Sequence, residues 1–272
     1  MLSFLTNADN HPMHIRAFLG TMALLMCPLF VAQSQEHTVA HQWNEQLLEA
    51  IRNDFARPTV HARNLYHASI LMYDSWAAYD DSQAKSVFLG QTFDGYTCPF
   101  DASTLAIPSE DAAVKEAQEV AMSYATYRLI RHRYENSPQA ESTMANIFVQ
   151  MIIQELDTAF TSTDYATYGA PALGNYLAEQ LIAYGMTDGS NEANDYANTC
   201  YVQLEPNILP EVPGTSGLVD PNRWQAVELS FAIDQSGELL TETPPFLGPQ
   251  WGEVTGFALR DSNLTVLERD GC

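Results

Sequence analysis

Residues 39–80 read VAHQWNEQLLEAIRNDFARPTVHARNLYHASILMYDSWAAYD, the most strongly patterned part of the chain. Its apolar residues recur about every four positions, which predicts two amphipathic helices. Pro58 disfavours helix at Arg57, and Thr59 can cap a new helix start, so the two helices should meet here. Two long amphipathic helices joined by a short break are expected to fold back as an antiparallel pair.

Each of these two helices has a predicted apolar line. In the first helix it consists of Val39, Trp43, Leu47, Ile51 and Phe55. In the second helix it consists of Leu65, Ala68, Met72, Trp76 and Tyr79. His61 also falls on the apolar side of the second helix. We favour a core histidine whose hydrogen bonds are satisfied near the start of the helix over a histidine that acts as a ligand.

The opposite side of the second helix carries Arg63, His67 and Asp74 at spacings of four and seven. We favour the interpretation that this polar line is a solvent-facing or inter-element side of an amphipathic helix. The alternative is a buried ion network that buttresses an active site supplied by another part of the protein.

The rest of the chain predicts three more helices and then an irregular segment. The helices should begin near Ser109, after the turn at Ser137-Pro138 and near Pro171, and the second of them should extend to about Phe160. Seven of the fourteen prolines fall in residues 186–250, which cannot form long helices. The predicted fold is therefore mainly α: a helical bundle of about five helices followed by a Pro-rich irregular segment.

These patterns divide the chain into three parts. Residues 1–34 are predicted to be a signal peptide, and residues 35–185 the helical bundle. Residues 186–272 are predicted to be an extended Pro/Trp-rich segment packed on the bundle.

The predicted signal peptide has the usual order of parts. Met13–Arg16 is a short basic start, with Met13 as an alternative start of translation, and the apolar run 17–32 follows it. The small residues after this run fit cleavage behind Ser34. A lipoprotein anchor at Cys27 fits less well, so we expect an exported, periplasmic or extracellular protein.

The net charge of the chain excludes some classes of binding partner. The chain has 34 acidic and 12 basic residues, a net charge of −22, which argues against binding to nucleic acid or to an anionic membrane.

Three cysteines remain after cleavage in an oxidising compartment. Cys98 and Cys200 lie in loop-like sequence and are the candidate disulfide, with three unpaired thiols as the alternative. Cys272 is expected to be free.

Four stretches together carry a family resemblance: residues 43–80, DGSNEANDYAN (188–198), DPNRWQ (220–225) and FLGPQWGEVTGFAL (246–259). In this order they resemble the N-terminal half of bacterial vanadium-dependent haloperoxidase-like proteins of the type 2 phosphatidic acid phosphatase superfamily. The resemblance covers nearly all of the chain after about residue 38. It implies vanadate-dependent halide oxidation, or phosphate ester hydrolysis at the same oxyanion site, for a full-length member.

The residues that perform this family's chemistry are missing from the sequence. The resemblance implies a lysine seven residues before an Arg-Pro, a Pro-Ser-Gly-His, and a later histidine, a set that binds and attacks a tetrahedral oxyanion. Arg57-Pro58 is the only Arg-Pro, Ala50 stands where the lysine belongs, and the last histidine is His132. We therefore expect no catalytic, cofactor-binding or metal-binding residue, and no vanadate, in this chain alone.

Two interpretations of function remain open. The favoured one is a fragment or truncated member, inactive alone, whose partner is the missing C-terminal catalytic half or a second copy of itself. The alternative is a non-enzymatic secreted helical module that binds a partner protein through Trp224, Phe246 and Trp251. Neither interpretation involves nucleic acid, nor a membrane after signal cleavage.

Two weaker metal patterns have simpler explanations. His37, His41 and Glu45 are spaced by four, but a solvated helix face is favoured over a metal site. The acidic run at 188–195 lacks the residue order of a calcium-binding EF-hand, so a polar turn at a helix exit is favoured.

Overall fold

The structure is a computed structural model. It describes residues 37–80, 84–199, 201–210, 217–233, 237, 239, 240, 243, 246–256, 258, 259, 261–263 and 265. The chain divides into two compact units, Met1–His37 and Thr38–Cys272, and the described residues belong almost entirely to the second. The predicted signal peptide, Cys200 and Cys272 lie outside the described residues.

The described part of the chain is mainly α-helical, as the sequence predicts. Its α-helices are α1 (Val39–Arg52), α2 (Pro58–Ala77), α3 (Asp111–Tyr134), α4 (Ala140–Ile153), α5 (Tyr165–Tyr168) and α6 (Ala170–Gly185). Short 3-10 helices are Ala102–Thr104, Glu192–Asn194, Pro249–Glu253 and Asp261–Asn263. The five predicted helices are present, and the one-turn helix α5 is additional.

The strands are short and form two separate pairs. β1 (Thr92–Phe93) pairs antiparallel with β2 (Tyr96–Thr97), and β3 (Leu204–Ile208) pairs in parallel with β4 (Gln225–Val227). Asp94 and Gly95 form the tip of the first hairpin, and both have the positive φ that such a tight turn requires. No helix in the described ranges is both long enough and apolar enough to cross a membrane.

Helix α3 is the centre of the bundle and packs against α1, α2, α4 and α6. Its buried residues include the small Ala121 and Ala125, which let neighbouring helices approach closely. On α1, Trp43 is fully buried, and its indole Nε1 donates to Ser123 Oγ of α3 at 2.9 Å. This hydrogen bond satisfies the polar atom that a buried tryptophan would otherwise leave unpaired.

Helix α1 ends three residues earlier than its apolar line predicts. The last helical residue is Arg52, and the backbone N–H of Asn53 caps the helix by donating to Glu49 O. Asn53 Nδ2 also donates to Thr143 Oγ1 of α4 at 3.3 Å. Phe55, predicted as the last apolar contact of this helix, therefore lies in the connection to α2 and is exposed.

Helix α2 departs most from its predicted orientation. The polar line Arg63, His67 and Asp74 is buried between elements, so this side is an inter-element side and not a solvent-facing one. Of the predicted apolar line, Ala68, Met72 and Tyr79 are buried as expected, whereas Leu65 and Trp76 are exposed. The reason is that the loop after α2 and the turn after α6 cover the polar side and supply hydrogen-bond and ion-pair partners for it.

Helix α4 ends at Ile153, well before the predicted end near Phe160. Glu155 takes up a left-handed backbone conformation with φ of 58°, which stops the helix. The N–H of Leu156 donates to Met151 O and the N–H of Glu155 donates to Ile152 O, both at 3.0 Å. These two bonds form a Schellman motif, which usually has glycine at the left-handed position.

The loop between α2 and β1 is held by one buried carboxylate. Asp74 accepts hydrogen bonds from the backbone N–H groups of Val87, Phe88 and Leu89 at 2.7, 2.8 and 2.7 Å. Phe88 and Leu89 are buried in the main core as a result. Burial raises the pKa of Asp74, and the three N–H donors offset part of that effect.

Candidate functional site

Four charged side chains meet inside the protein where α2, α3 and the turn after α6 come together. Arg63 comes from α2, Arg133 from the end of α3, and Asp188 and Glu192 from the turn. We call these four residues the ion cluster. Both arginines and Asp188 are buried, and the Glu192 side chain is only 5% exposed.

Arg63 joins the second helix to the turn. Its Nε donates to Asp188 Oδ2 at 2.5 Å, and its Nη2 donates to Glu192 Oε2 at 2.6 Å. The same Nη2 donates to the carbonyl of Gly185, the last residue of α6, at 2.9 Å. One guanidinium therefore ties α2 to the end of α6 and to both carboxylates of the turn.

Arg133 joins the third helix to the same turn and to α2. Its Nε lies 2.7 Å from Glu192 Oε1, an ion-pair distance, although the N–H is not aligned for a hydrogen bond. Its Nη1 donates to Asn64 Oδ1 at 2.5 Å and its Nη2 donates to His67 Nδ1 at 3.1 Å. Asn64 in turn donates to the hydroxyl of Tyr134 at 3.0 Å.

The turn that supplies the carboxylates has tight local geometry. Asp188 accepts from the backbone N–H of Ser190 at 3.0 Å, which fixes its second oxygen. A Cβ on Gly185 would lie 2.6 Å from Arg63 Nη2 and 2.8 Å from Arg133 Nη2, so glycine is the residue that fits beneath the two buried guanidinium groups. The acidic run is thus a helix-exit turn, as the sequence predicts, and it also neutralises the buried arginines.

The electrostatics of the cluster follow from pairing opposite charges away from water. Burial opposes ionisation of Glu192, but the hydrogen bond from His132 and the charges of Arg133 and Arg63 lower its pKa to about 2. Burial also acts to lower the pKa of Arg63, yet Glu192 and Asp188 outweigh it and raise that pKa. Two positive and two negative groups leave the cluster with no net charge.

His67 stays neutral beside this cluster. Burial, and then the positive charges of Arg133 and Arg63, lower its pKa well below the ordinary value. Since Nδ1 accepts a hydrogen bond from Arg133, the ring proton is on Nε2, which lies 4.0 Å from Asp188 Oδ2. His67 therefore acts as an acceptor that orients Arg133.

The structure brings together only part of the predicted polar line. Arg63 and His67 both contact the ion cluster, whereas Asp74 holds the loop after α2 instead. His61 is buried near the start of α2 as a core histidine; its Nε2 is 2.8 Å from Phe55 O, whereas its Nδ1 has no hydrogen-bond partner among the described residues. That the polar line buttresses an active site stays a prediction.

Four residues of the site are not identified by the sequence patterns: Asn64, Arg133, Asp188 and Glu192. Arg133 lies in the last turn of a helix, where a positive side chain commonly complements the negative end of the helix dipole. Its position in the sequence therefore gives no sign that it is buried. One signal in the sequence could have indicated these ion pairs: a chain with few basic residues has an acidic run directly after a helix. That signal does not say which arginines the acids would meet.

The other candidate residues are not gathered into a site within the described part of the chain. His37, His41 and Glu45 are exposed at the start of the described chain, and among the described residues no three His, Cys, Asp or Glu side chains are placed to hold a metal ion. Cys98 is a buried thiol, and burial raises its pKa to about 11. Because Cys200 lies outside the described residues, its disulfide with Cys98 stays a prediction.

The tail aromatics contact other aromatic rings of the tail. Trp224 packs on Tyr201 and Phe246, with ring centroids 6.4 and 5.1 Å away. Trp251 packs 6.3 Å from the ring of Tyr196. Each of the predicted contact residues is therefore partly engaged in contacts with other residues of the same chain.

The ion cluster does not fit a tetrahedral oxyanion such as vanadate. Such a ligand needs cationic donors whose charge is not already neutralised. Here Asp188 and Glu192 neutralise both guanidinium groups, Asn64 and His67 accept from the Nη atoms of Arg133, and the cluster is buried. The arrangement can lock helices together, and no chemical step follows from it.

Comparison with known proteins supports the fold. A crystal structure of a holo-type bacterial vanadium-dependent chloroperoxidase is similar, with a TM-score of 0.55 and 18% sequence identity. The match covers 78% of this chain and 42% of that chain, so this chain corresponds to less than half of the chloroperoxidase. No family model and no curated protein matches the sequence. The fold is therefore haloperoxidase-like.

Proposed function

We propose that this chain is the N-terminal helical portion of a vanadium haloperoxidase-like or phosphatase-like protein, as a fragment or truncated member. Its role is to form a rigid scaffold that packs against a catalytic half supplied by further polypeptide. The chloroperoxidase-like fold and the partial coverage of that protein support this assignment. The sequence resemblance at residues 43–80 points the same way.

The observation that carries the proposal is the pairing of both buried arginines. Arg63 and Arg133 are the cations that an oxyanion site in this core would need, and Asp188 and Glu192 neutralise them. The two arginine side chains instead join α2, α3 and α6. A core connected in this way suits a structural role beside a reaction site better than the reaction itself.

A vanadate titration of the purified chain tests this proposal. Isothermal titration calorimetry with orthovanadate, and with phosphate as the related oxyanion, is expected to show no saturable binding. Bromination of an indicator dye with peroxide and bromide is expected to stay at the level of a buffer blank containing vanadate. Stoichiometric vanadate binding that phosphate displaces, or turnover above the blank, would overturn the proposal.

The origin of the catalytic half can be tested separately on the source DNA. The region after the Cys272 codon should be read in all three forward frames. A frame that encodes a lysine seven residues before an Arg-Pro, followed by Pro-Ser-Gly-His, is the expected result. No such frame would mean that the fragment interpretation fails and that partner binding by a non-enzymatic module takes its place.

A further inference from the structure

Helix α2 presents an uncharged, largely apolar face to solvent. This outer face consists of Ala62, Leu65, Ser69, Tyr73 and Trp76. Leu65, Tyr73 and Trp76 are 37%, 40% and 37% exposed, although the charged residues of the same helix point inward. Twelve of the 20 residues of this helix are buried, and its outward side carries no charge in a chain of net charge −22. Exposed apolar surfaces commonly mark interaction sites.

The outer face continues into an open groove of about 1110 Å³. The groove runs between α2, the β1–β2 hairpin and residues 252–256, 258 and 259. Ser69 and Tyr73 belong to both the outer face and the groove wall. The two features therefore form one continuous surface that has room for a helical or extended segment of protein.

The far wall of the groove is held in place by hydrogen bonds. Thr255 Oγ1 donates to Asp94 at the hairpin tip, and the N–H of Thr255 is 3.4 Å from Asp188 O. A Cβ on Gly189 would clash with the carbonyl of Glu253, so the turn after α6 packs tightly on this wall. The groove is thus formed before a partner arrives, which lowers the entropic cost of binding.

The charge of the groove indicates which partner fits. Asp94 and Glu253 place carboxylates on its hairpin and tail walls, and none of the described residues that line it is Lys, Arg or His. The rings of Tyr73 and Trp76 lie 5.7 Å apart beside it and offer π faces to a cation. A complementary segment would carry apolar side chains toward α2 and basic side chains toward the two carboxylates.

We propose that the outer face of α2 and the adjoining groove bind a basic amphipathic segment of a partner protein. The inference goes beyond the scaffold role and does not depend on it. It differs from the tail surface expected from the sequence, because Trp224, Phe246 and Trp251 are partly engaged in contacts within the chain.

Binding of a designed probe peptide tests the proposal. The probe is a fluorescein-labelled helical peptide with leucines on one face and lysines on the other, measured by fluorescence anisotropy in about 150 mM salt to screen weak surface attraction. Tyr73→Arg is expected to raise Kd about tenfold or more, because it places a like charge at the centre of the interface. Asp94→Asn combined with Glu253→Gln is expected to weaken binding as well.

Ile153→Arg is the matched control. Ile153 is an exposed apolar residue of α4, so this substitution makes the same change of charge outside the groove. It is expected to leave Kd within about twofold of that of the unmodified chain. A circular dichroism melt of each variant confirms that the fold is retained.

Three results would overturn the proposal. The first is equal weakening by Tyr73→Arg and Ile153→Arg, which would show non-specific attraction to an acidic protein. The second is equal binding of a peptide with the same composition in scrambled order. The third is dimerisation of the chain, measured by sedimentation equilibrium and abolished by Tyr73→Arg, which would assign the face to a second copy. Vanadate binding has no bearing on these results, so the two proposals can fail independently.

Discussion

At the scale of single residues, Gly185 has little room for change. It ends α6 directly beneath the guanidinium groups of Arg63 and Arg133. Gly185→Ala is expected to lower the free energy of unfolding by about 1–3 kcal/mol, because the added methyl group forces the buried ion pairs apart. Urea denaturation followed by circular dichroism measures the change.

Gly252→Ala is the control for this substitution. A Cβ at Gly252 meets no atom within 4 Å. The free energy of unfolding of the Gly252→Ala variant should therefore stay within about 0.5 kcal/mol of that of the unmodified chain. Equal effects of the two substitutions would mean that the space under the arginines is not what limits residue 185.

Glu192 makes the cluster sensitive to acid. Its pKa is about 2 in the folded chain against an ordinary value of 4.5, so the unfolded chain takes up a proton first as the pH falls. The stability that Glu192 contributes is therefore complete above about pH 4.5 and is lost progressively toward pH 2. Glu192→Gln is expected to remove about 3 kcal/mol at pH 7, since two buried arginines lose charge compensation.

The measurement is the free energy of unfolding of both proteins between pH 2 and pH 7. The difference between them should shrink as the pH falls through the window from 4.5 to about 2. Asp195→Asn is the control, because Asp195 pairs with Arg57 while its side chain is 78% exposed. A difference that stays constant over the whole range would contradict an ionised Glu192 in the folded chain.

At the scale of elements, Asp74 holds residues 87–89 of the loop after α2 in place. Asp74→Ala removes the side chain that accepts from the N–H groups of Val87, Phe88 and Leu89. Leaving buried donors unpaired should cost about 2–4 kcal/mol, and hydrogen exchange at these three amides should speed up more than elsewhere. Asp101→Ala, at an exposed 3-10 helix cap, should leave the exchange of these amides unchanged.

The end of α4 offers a stabilising substitution. Glu155 has a φ of 58°, a backbone conformation that glycine adopts without strain. Glu155→Gly is therefore expected to raise the free energy of unfolding by up to about 1 kcal/mol, measured by thermal or urea unfolding. A loss of stability would mean that the glutamate side chain contributes more than its backbone conformation costs.

The elements also show how much of the fold the sequence predicts. The order and type of the five long helices follow from strong apolar periodicity, because each must bury one face in a common core. The predicted end of α4 is wrong because nothing in the local pattern marks Glu155 as a left-handed residue. The polar side of α2 is buried and not solvent-facing because Arg63 finds its partner Asp188 at a separation of 125 residues, which no periodicity shows.

At the scale of the whole molecule, the net charge of −22 makes stability depend on salt. Surface carboxylates repel one another, and added salt screens this repulsion beyond about 10 Å. The melting temperature is expected to rise by several degrees between about 0.05 and 0.5 M NaCl, measured by scanning calorimetry at neutral pH. A fall in melting temperature would show that screened surface ion pairs outweigh the repulsion.

The ion cluster also has a consequence for the order of assembly. The hydrogen bonds of its two arginines connect residues 66 to 129 positions apart, so it closes only after α2, α3 and α6 have met. Contacts of such long range form late on a folding pathway, since their loops must first be brought together. Weakening the cluster should then speed unfolding and leave the folding rate nearly unchanged. The buried charges would thus slow the unfolding of a bundle that has already formed.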